Sequence, residues 1–323
     1  MTYPIKYLIT GGAGFIGSHL ADALLAAGHR VRVLDDFSTG RRANLDPRCE
    51  VVAGDVGDPA TVRAAMAGVD GCFHLAAIAS VARGNEDWLG THRINQTGTV
   101  CVLDAARTAG RTTGYEGGRR LPVVYASSAA VYGDIGGQMA RESMRPAPLT
   151  AYGADKLGSE LHAAVAWQVH GVPTLGLRFF NVYGPRQDAD SPYSGVVSIF
   201  AGRLAGGASI TVHGEGTQTR DFVYVADAVA HLAAGMEALS ADPGGLVLNV
   251  CTGHGTSVLD LVRTLGGLHG RAPRLLHGPA RTGDIARSVG DPAAAADRLG
   301  LRATTMLADG LAATLAWLRL EAA

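Results

Sequence analysis

The sequence predicts an α/β protein: a doubly wound parallel sheet with helices on both faces, followed by a smaller C-terminal lobe. Three observations predict it. Short apolar runs alternate with helix-length amphipathic segments through the first 180 residues, the signature of βαβ units and a parallel sheet. The runs are apolar at successive positions, as in strands buried on both faces. A glycine-rich loop joins the first run to the first helical segment.

The elements follow in order. KYLIT at 6–10 is a strand, and Leu20, Leu24 and Ala27 give residues 17–30 helical spacing. Further strands are expected at 31–36, 50–55, 71–77, 121–128 and 173–182. Helical patterns separate most of them, at 59–67, 92–109 and 151–170. The alternation weakens after Tyr183. Residues 186–195 are polar and turn-rich, 208–225 read as strand, loop and strand, 245–253 as another buried strand, and 274–288 as strand then loop. The Gly/Arg-rich segment 111–120 is expected to be an exposed loop. The domain reading is therefore 1–180 with 220–252 for the sheet domain, and 181–219 with 253–323 for the second lobe.

Composition narrows the class. The chain has 323 residues, 47% hydrophobic and 18% charged, with a formal net charge of −1. That excludes a disordered chain and gives no basic excess for nucleic acid or an anionic membrane. Cys49, Cys72, Cys101 and Cys251 are scattered without metal-ligand spacing. Lone thiols suit a reducing compartment. With no signal-peptide pattern and no apolar run of transmembrane length, a cytoplasmic enzyme is expected.

ITGGAGFIGSHL places Gly11, Gly14 and Gly17 in a G-x-x-G-x-x-G pattern between strand and helix. In that context glycines permit a tight turn and let the backbone approach a pyrophosphate, which the helix N-terminus then attracts. This points to a Rossmann-type dinucleotide site. Asp35 ends the second strand, 18 residues beyond Gly17, where a carboxylate accepts from the adenosine ribose and repels a 2′-phosphate; NAD is favoured over NADP. Arg41 and Arg42 argue the other way if they face a 2′-phosphate, and are neutral if they are a solvated loop. Asp55 suits either the adenine edge or a turn. Leu75, Ala76 and Ala77 suit either close cofactor approach or core packing.

TAYGADKLGSE, at 150–160, sets Tyr152 and Lys156 four residues apart, on one face of a helix. A phenol near pKa 10 is a weak base at neutral pH, and an adjacent cation favours its ionised form. The pair reads as a tuned acid/base or as an ordinary surface Tyr and Lys.

TGGAGFIGSHL, DDFSTG, HLAA, YASSAAVYG, YGADK, RFFNVYGPRQ and GEGTQTRDFVYVADA, in this order, together resemble the extended short-chain dehydrogenase/reductase family. Within it the chain is most similar to the nucleotide-sugar 4-epimerases that act on UDP-glucose and UDP-galactose. The resemblance spans nearly the whole chain. It implies a catalytic set of Tyr152, Lys156 and Ser128, the last chosen over Ser127 because it directly precedes AAVY. It implies cofactor contacts from Gly11, Gly14, Phe15, Ile16, Gly17, Asp35, Asp36, Asp55, Val56, Leu75, Ala76 and Ala77. Asn95, Phe180 and the Tyr152–Lys156 pair complete that cofactor set. It implies substrate contacts from Ser128, Asn181 and Val197, diphosphate contacts from Arg220, Arg281 and Arg287, a uridine-ribose contact from Asp284, and a sugar contact from Ser288. No metal is implied. Tyr152 would act as general base on the sugar 4-hydroxyl, its pKa lowered by Lys156 and the nicotinamide, with hydride leaving C4 and returning to the opposite face. A homodimer through the helices at 92–109 and 151–170 is implied; Leu157, Leu161 and Val165 form an apolar stripe that suits that interface or the chain's own core.

Departures from the family pattern separate the alternatives. Dehydratases and decarboxylases of the family carry acidic residues after the catalytic serine or threonine, where this chain has Ala129 and Ala130. Epimerases of uronic acids tend to have threonine at the position of Asn181 and an arginine near Asp188. The lysine of some UDP-galactose epimerases is replaced near Ala79. A small residue at Ser288 leaves room for an N-acetyl group, or simply caps a turn. A non-catalytic NAD-binding scaffold is the reading from another class; the presence of Ser128, Tyr152 and Lys156 opposes it.

Overall fold

A computed structural model describes residues 4–109, 120–188, 195–280 and 285–321. Arg281, Asp284, most of the 111–120 loop and much of 186–195 lie outside the described residues. The first half runs β1 (Lys6–Thr10), α1 (Phe15–Ala26), β2 (Arg30–Asp35), β3 (Glu50–Ala53), α2 (Pro59–Met66), β4 (Gly71–His74), α3 (Val81–Glu86) and α4 (Trp88–His92). A π turn at Arg93–Thr97 leads into α5 (Gly98–Ala109), then β5 (Val123–Ser128), α6 (Ala151–His170), β6 (Thr174–Phe179) and β7 (Asn181–Tyr183). There follow α7 (Val196–Ala205), β8 (Ile210–His213), β9 (Thr219–Arg220), β10 (Phe222–Tyr224), α8 (Val225–Ala241) and β11 (Gly245–Val250). The chain finishes with β12 (Thr256–Ser257), α9 (Val258–His269), β13 (Leu275–Gly278), β14 (Arg287–Ser288), α10 (Ala293–Leu299) and α11 (Leu307–Glu321).

Seven strands make one parallel sheet in the order β11-β6-β5-β4-β1-β2-β3. The order reverses at β1, so a crevice opens beyond the carboxyl ends of β1 and β4, where ligands of such sheets bind. Successive residues point to opposite faces. Ile9 and Val33 pack with Leu20 and Leu24 of α1 and Leu232 of α8. Leu8 and Leu34 pack with Val62 of α2, Val102 of α5 and Ala163 of α6. The continuous apolar runs are explained by this double burial. A third cluster, with Val197, Phe200, Ile210, Leu261 and Leu311, is built from the later elements.

Two sequence expectations need correction. The run at 173–182 is two strands, because Phe180 passes the chain from one sheet to another: β6 pairs with β5 and β11, whereas β7 pairs with β10. The helical pattern at 92–109 is interrupted by the π turn, which turns Asn95 inward to 1% exposure. Such an inserted turn preserves an amphipathic pattern on both sides, so periodicity does not report it.

Candidate active site

The glycine loop is shaped by close approaches. Gly11 has φ +70°, and a Cβ there would lie 2.7 Å from the Ala76 nitrogen. A Cβ at Gly17 would lie 2.3 Å from the Gly11 carbonyl oxygen. Gly14, the N-cap of α1, differs: a Cβ would meet only the Gly11 oxygen, and no side chain caps the helix. The first-turn N–H groups, which include those of Phe15 and Ile16, are thus left for an outside acceptor, as a pyrophosphate would be.

Asp35, 8% exposed, accepts from the Ala13 N–H through Oδ2 and from the Phe37 N–H through Oδ1, each at 2.9 Å. A carboxylate has about four acceptor positions, so two remain for a ribose diol. Burial raises its pKa, against the pull of both N–H groups. Asp36 is exposed and holds Ser38 instead. Arg41 pairs with Asp188 at 3.4 Å and Arg42 stacks on Phe37 at 4.7 Å. Both arginines therefore have partners, which leaves the NAD reading favoured. Asp55 accepts from the Gly57 N–H and pairs with Arg93, and Val56 packs in the core. These residues fit an NAD: an uncapped helix N-terminus with a buried carboxylate at the neighbouring strand end.

The floor of the crevice is a hydrogen-bond relay. The Ala76 N–H donates to the Thr10 hydroxyl at 3.2 Å, and Thr10 is 2.8 Å from His74 Nδ1. His74 Nε2 is 3.1 Å from the Thr99 hydroxyl, which donates to the Asn95 carbonyl at 2.6 Å. With the Thr99 proton committed, Nε2 carries the His74 proton and Nδ1 accepts from Thr10. The Asn95 side chain then binds both the N–H and the carbonyl of Ile78. One relay thus holds both ends of the segment containing Ala76 and Ala77. His74 is 4% exposed, and burial, aided by the Lys156 charge, lowers its pKa to about 3. The HLAA motif by itself gives no sign of this part for His74.

Helix α6 begins where the Thr150 hydroxyl accepts from the Gly153 N–H at 3.0 Å. A Cβ at Gly153 would lie 2.7 Å from the Ala130 oxygen, so glycine lets the helix start lie against the segment after Ser128. This sets the half-buried Tyr152 beside Ser128, near enough for the serine to act on the phenol's pKa. Lys156, 5% exposed, donates to the Ala126 carbonyl at 2.8 Å, and its Nζ is 5.9 Å from the Tyr152 ring centre. Burial lowers its pKa to about 8, opposed by Asp155. Burial raises that of Tyr152, and the Ser128 hydrogen bond opposes the rise. The sequence expectation of a lowered phenol pKa is therefore not met by the chain's own groups: desolvation outweighs the hydrogen bond.

Of the remaining candidates, Asn181, Arg220 and Ser288 converge on Asp221. The Asn181 N–H donates to the Asp221 carbonyl at 2.9 Å, and the Asp221 N–H donates to the Ser288 carbonyl at 3.0 Å. Arg220 Nη1 donates to the Ile285 carbonyl at 2.7 Å. Phe180 is buried beside Gly290. Val197 is core, 2% exposed, and Arg287 is exposed. Asp221 itself was missed by sequence reading. Fully buried, it accepts from the Thr252 N–H and hydroxyl and the Gly253 N–H at 2.7–2.9 Å.

Residues 7–251 match the family model described as the NAD dependent epimerase/dehydratase family. The chain belongs to that family. It is 36% identical to a UDP-glucose 4-epimerase of Mycolicibacterium smegmatis, over 98% of this chain and 99% of the other. It is 33% identical to a dTDP-glucose 4,6-dehydratase of Actinoplanes sp., with 98% of each covered. Its structure is similar to that of a UDP-glucose 4-epimerase of Thermotoga maritima solved with UDP-glucose, with a TM-score of 0.91, 30% identity, and 99% and 100% coverage. The epimerase and the dehydratase thus differ little in their identity to this chain, 36% against 33%.

Proposed function

We propose that the chain is an NAD-dependent 4-epimerase of a UDP-hexose, interconverting UDP-glucose and UDP-galactose through a transient 4-keto sugar. The observation that carries this is the buried Lys156 one turn on from Tyr152, its Nζ 5.9 Å from the phenol ring and held by the Ala126 carbonyl two residues before Ser128, with alanine at 129 and 130. Tyr152 takes the proton of the sugar 4-hydroxyl and later gives it back. Ser128 shares that oxygen's hydrogen bond and aligns it. Lys156, protonated below about pH 8, presents a fixed cation to the phenolate as it forms. Bound NAD supplies reversible hydride transfer at C4. No acid stands at Ala129 or Ala130 to take a C5 proton or protonate a C6 leaving group, which argues against dehydration. Asp188, paired with Arg41, stands where epimerases of uronic acids tend to carry an arginine, which favours a neutral hexose.

The cofactor residues are read as Gly11, Gly14, Phe15, Ile16, Gly17, Asp35, Asp36, Asp55, Val56, Leu75, Ala76, Ala77, Asn95, Tyr152, Lys156 and Phe180, and the sugar-nucleotide residues as Ser128, Asn181, Val197, Arg220, Arg281, Asp284, Arg287 and Ser288. The domain division given by the sequence is kept, with the third apolar cluster supporting a separate substrate lobe. A cytoplasmic setting is supported by four buried free thiols; among the described residues no helix is long and apolar enough to cross a membrane.

The test is proton NMR of the purified protein with UDP-glucose and, separately, UDP-N-acetylglucosamine. New galacto-configured anomeric signals support the reading, and unchanged spectra with NAD bound reject it. Ser288 decides the width of the pocket in this reading: Ser288→Tyr is expected to cut turnover of the N-acetyl sugar about tenfold more than that of UDP-glucose, about 1.4 kcal/mol of discrimination. Equal losses on the two sugars would remove Ser288 from the specificity argument.

The same proposal includes a homodimer. On α6, Leu161, Val165 and Val169 are 62%, 49% and 67% exposed, and Trp88 on α4 is 68% exposed. Leu157 packs on the chain's own core, so the stripe divides between core and surface. A row of apolar side chains at i, i+4 and i+8 suits a second copy of the same helix. Val165→Arg is expected to yield monomers in analytical ultracentrifugation; a parent that sediments as a monomer would end this part of the proposal.

A further inference from the structure

The stretch TAYGADKLGSE ends in Glu160, which the catalytic reading leaves unused. On α6, Tyr152, Lys156 and Glu160 stand at i, i+4 and i+8, one stripe along the helix. Glu160 is 7% exposed and faces the ends of β5 and β6. The Ser127 hydroxyl donates to its Oε1 at 2.5 Å. Arg178 on β6, 4% exposed, donates to both oxygens, Nε to Oε1 at 2.8 Å and Nη2 to Oε2 at 2.7 Å. The Arg178 guanidinium lies over the Tyr132 ring at 4.7 Å. The Tyr132 hydroxyl in turn donates to Asn249 Oδ1 on β11 at 2.6 Å.

Ser128 sits inside this arrangement. The residue before it is fixed by Glu160. Four residues after it, Tyr132 is fixed by Arg178 and Asn249. Between them the Ser128 hydroxyl accepts from the Ala130 N–H at 3.1 Å. Both carboxylate oxygens of Glu160 are committed, so it has no proton-transfer part of its own. A buried fork–fork pair is costly to desolvate and is often no more stable than apolar residues of the same volume. What it does supply is a fixed geometry, and the atoms it fixes bracket Ser128, the serine beside Tyr152.

The geometry points to Glu160 and Arg178 as a positioning pair for Ser128, extending the Tyr-Lys dyad of α6 to a Tyr-Lys-Glu stripe whose last member places the serine. The inference rests on the 4-epimerase reading. A merely structural pair would be replaceable by apolar residues without loss of chemistry; a positioning pair would not.

The experiment is a mutant cycle on the NAD-loaded protein: parent, Ser128→Ala, the apolar swap Glu160→Leu with Arg178→Met, and the three changes together. Thermal midpoint, bound NAD, and kcat and KM for UDP-galactose are read for each. The swap is expected to fold and keep NAD, with KM within about threefold and kcat down about 10- to 100-fold. Ser128→Ala is expected to cost about tenfold or more in the parent and under about threefold in the swap, since the hydroxyl is already misplaced. Equal costs in both backgrounds, or a swap with parental kcat, would overturn the inference. Should the swap fail to fold, Glu160→Gln takes its place in the same cycle. A second readout needs no turnover: the ultraviolet phenol titration assigned to Tyr152 by difference from Tyr152→Phe. Its midpoint is expected to rise by about one pH unit in the swap as the Ser128 hydrogen bond is lost; an unmoved midpoint counts against the pair. A parent with this titration but no epimerisation would reject the 4-epimerase reading and leave the positioning claim to the titration alone.

Discussion

Tyr152→Phe is expected to lower turnover about a thousandfold while NAD stays bound. The substitution removes one oxygen and leaves the ring that Lys156 faces at 5.9 Å. General acid–base groups contribute typically 10²–10⁴-fold, and the phenol here stands beside Ser128. The loss should fall on kcat, because the sugar's nucleotide is held elsewhere, by Arg220 and the residues around Asp221 in the reading given above. The pH profile of the parent carries the same information. Burial raises the phenol's pKa in the chain alone, so charge brought by the cofactor must offset it for activity near neutrality. The phenol titration of NAD-free protein should therefore have its midpoint above the acidic limb of kcat read on NAD-loaded protein. Tyr152→Phe with parental turnover would remove the tyrosine from its assigned part.

The second large effect is on stability in acid. His74 is neutral in the fold, with a pKa near 3 against 6.5 for the free side chain. A depressed folded value means that the unfolded chain binds the proton first as pH falls. The neutral ring's contribution is fully present above about pH 6.5 and is lost as pH falls toward 3. Over that window the loss is on the order of 4 kcal/mol, at one proton per molecule. Urea unfolding between pH 7 and 4.5 should show this slope, and His74→Asn should flatten it while costing stability at pH 7. A parent and variant with parallel slopes would mean that His74 does not bind its proton on unfolding.

Much of the fold was legible because its signals are local. β1 and α6 follow the expected spans residue for residue, and Thr150, Gly153 and Gly171 mark the ends and the close approach of α6. The dinucleotide loop was legible for the same reason: three glycines in register with a strand end and a helix start. What escaped was set by distant partners. Asp221 looks like any strand-end aspartate until Thr252 and Gly253 arrive from across the sheet. Glu160 looks like a solvated helix residue until Arg178 meets it from β6. His74 in a strand gives no sign of lying between Thr10 and Thr99. Arg287 and Val197 were placed by resemblance, and the structure leaves one exposed and the other in the core. The burial that raises the Tyr152 pKa in the chain alone depends on what surrounds the group, which spacing along a helix does not report.

The passage of the chain at Phe180 has a consequence for how the protein is made. β6 is buried along its whole length, yet one of its two neighbours, β11, comes from residues 245–250. Everything between must leave the ribosome before that side of β6 is covered. Until then a strand of mostly apolar residues presents an open row of backbone donors and acceptors, the surface on which chains pair edge to edge. A fragment ending before β11 would carry that edge permanently. Synthesis of this enzyme therefore includes an interval in which its largest sheet is one strand short, and the yield of folded protein is expected to depend on how quickly the last strand is delivered.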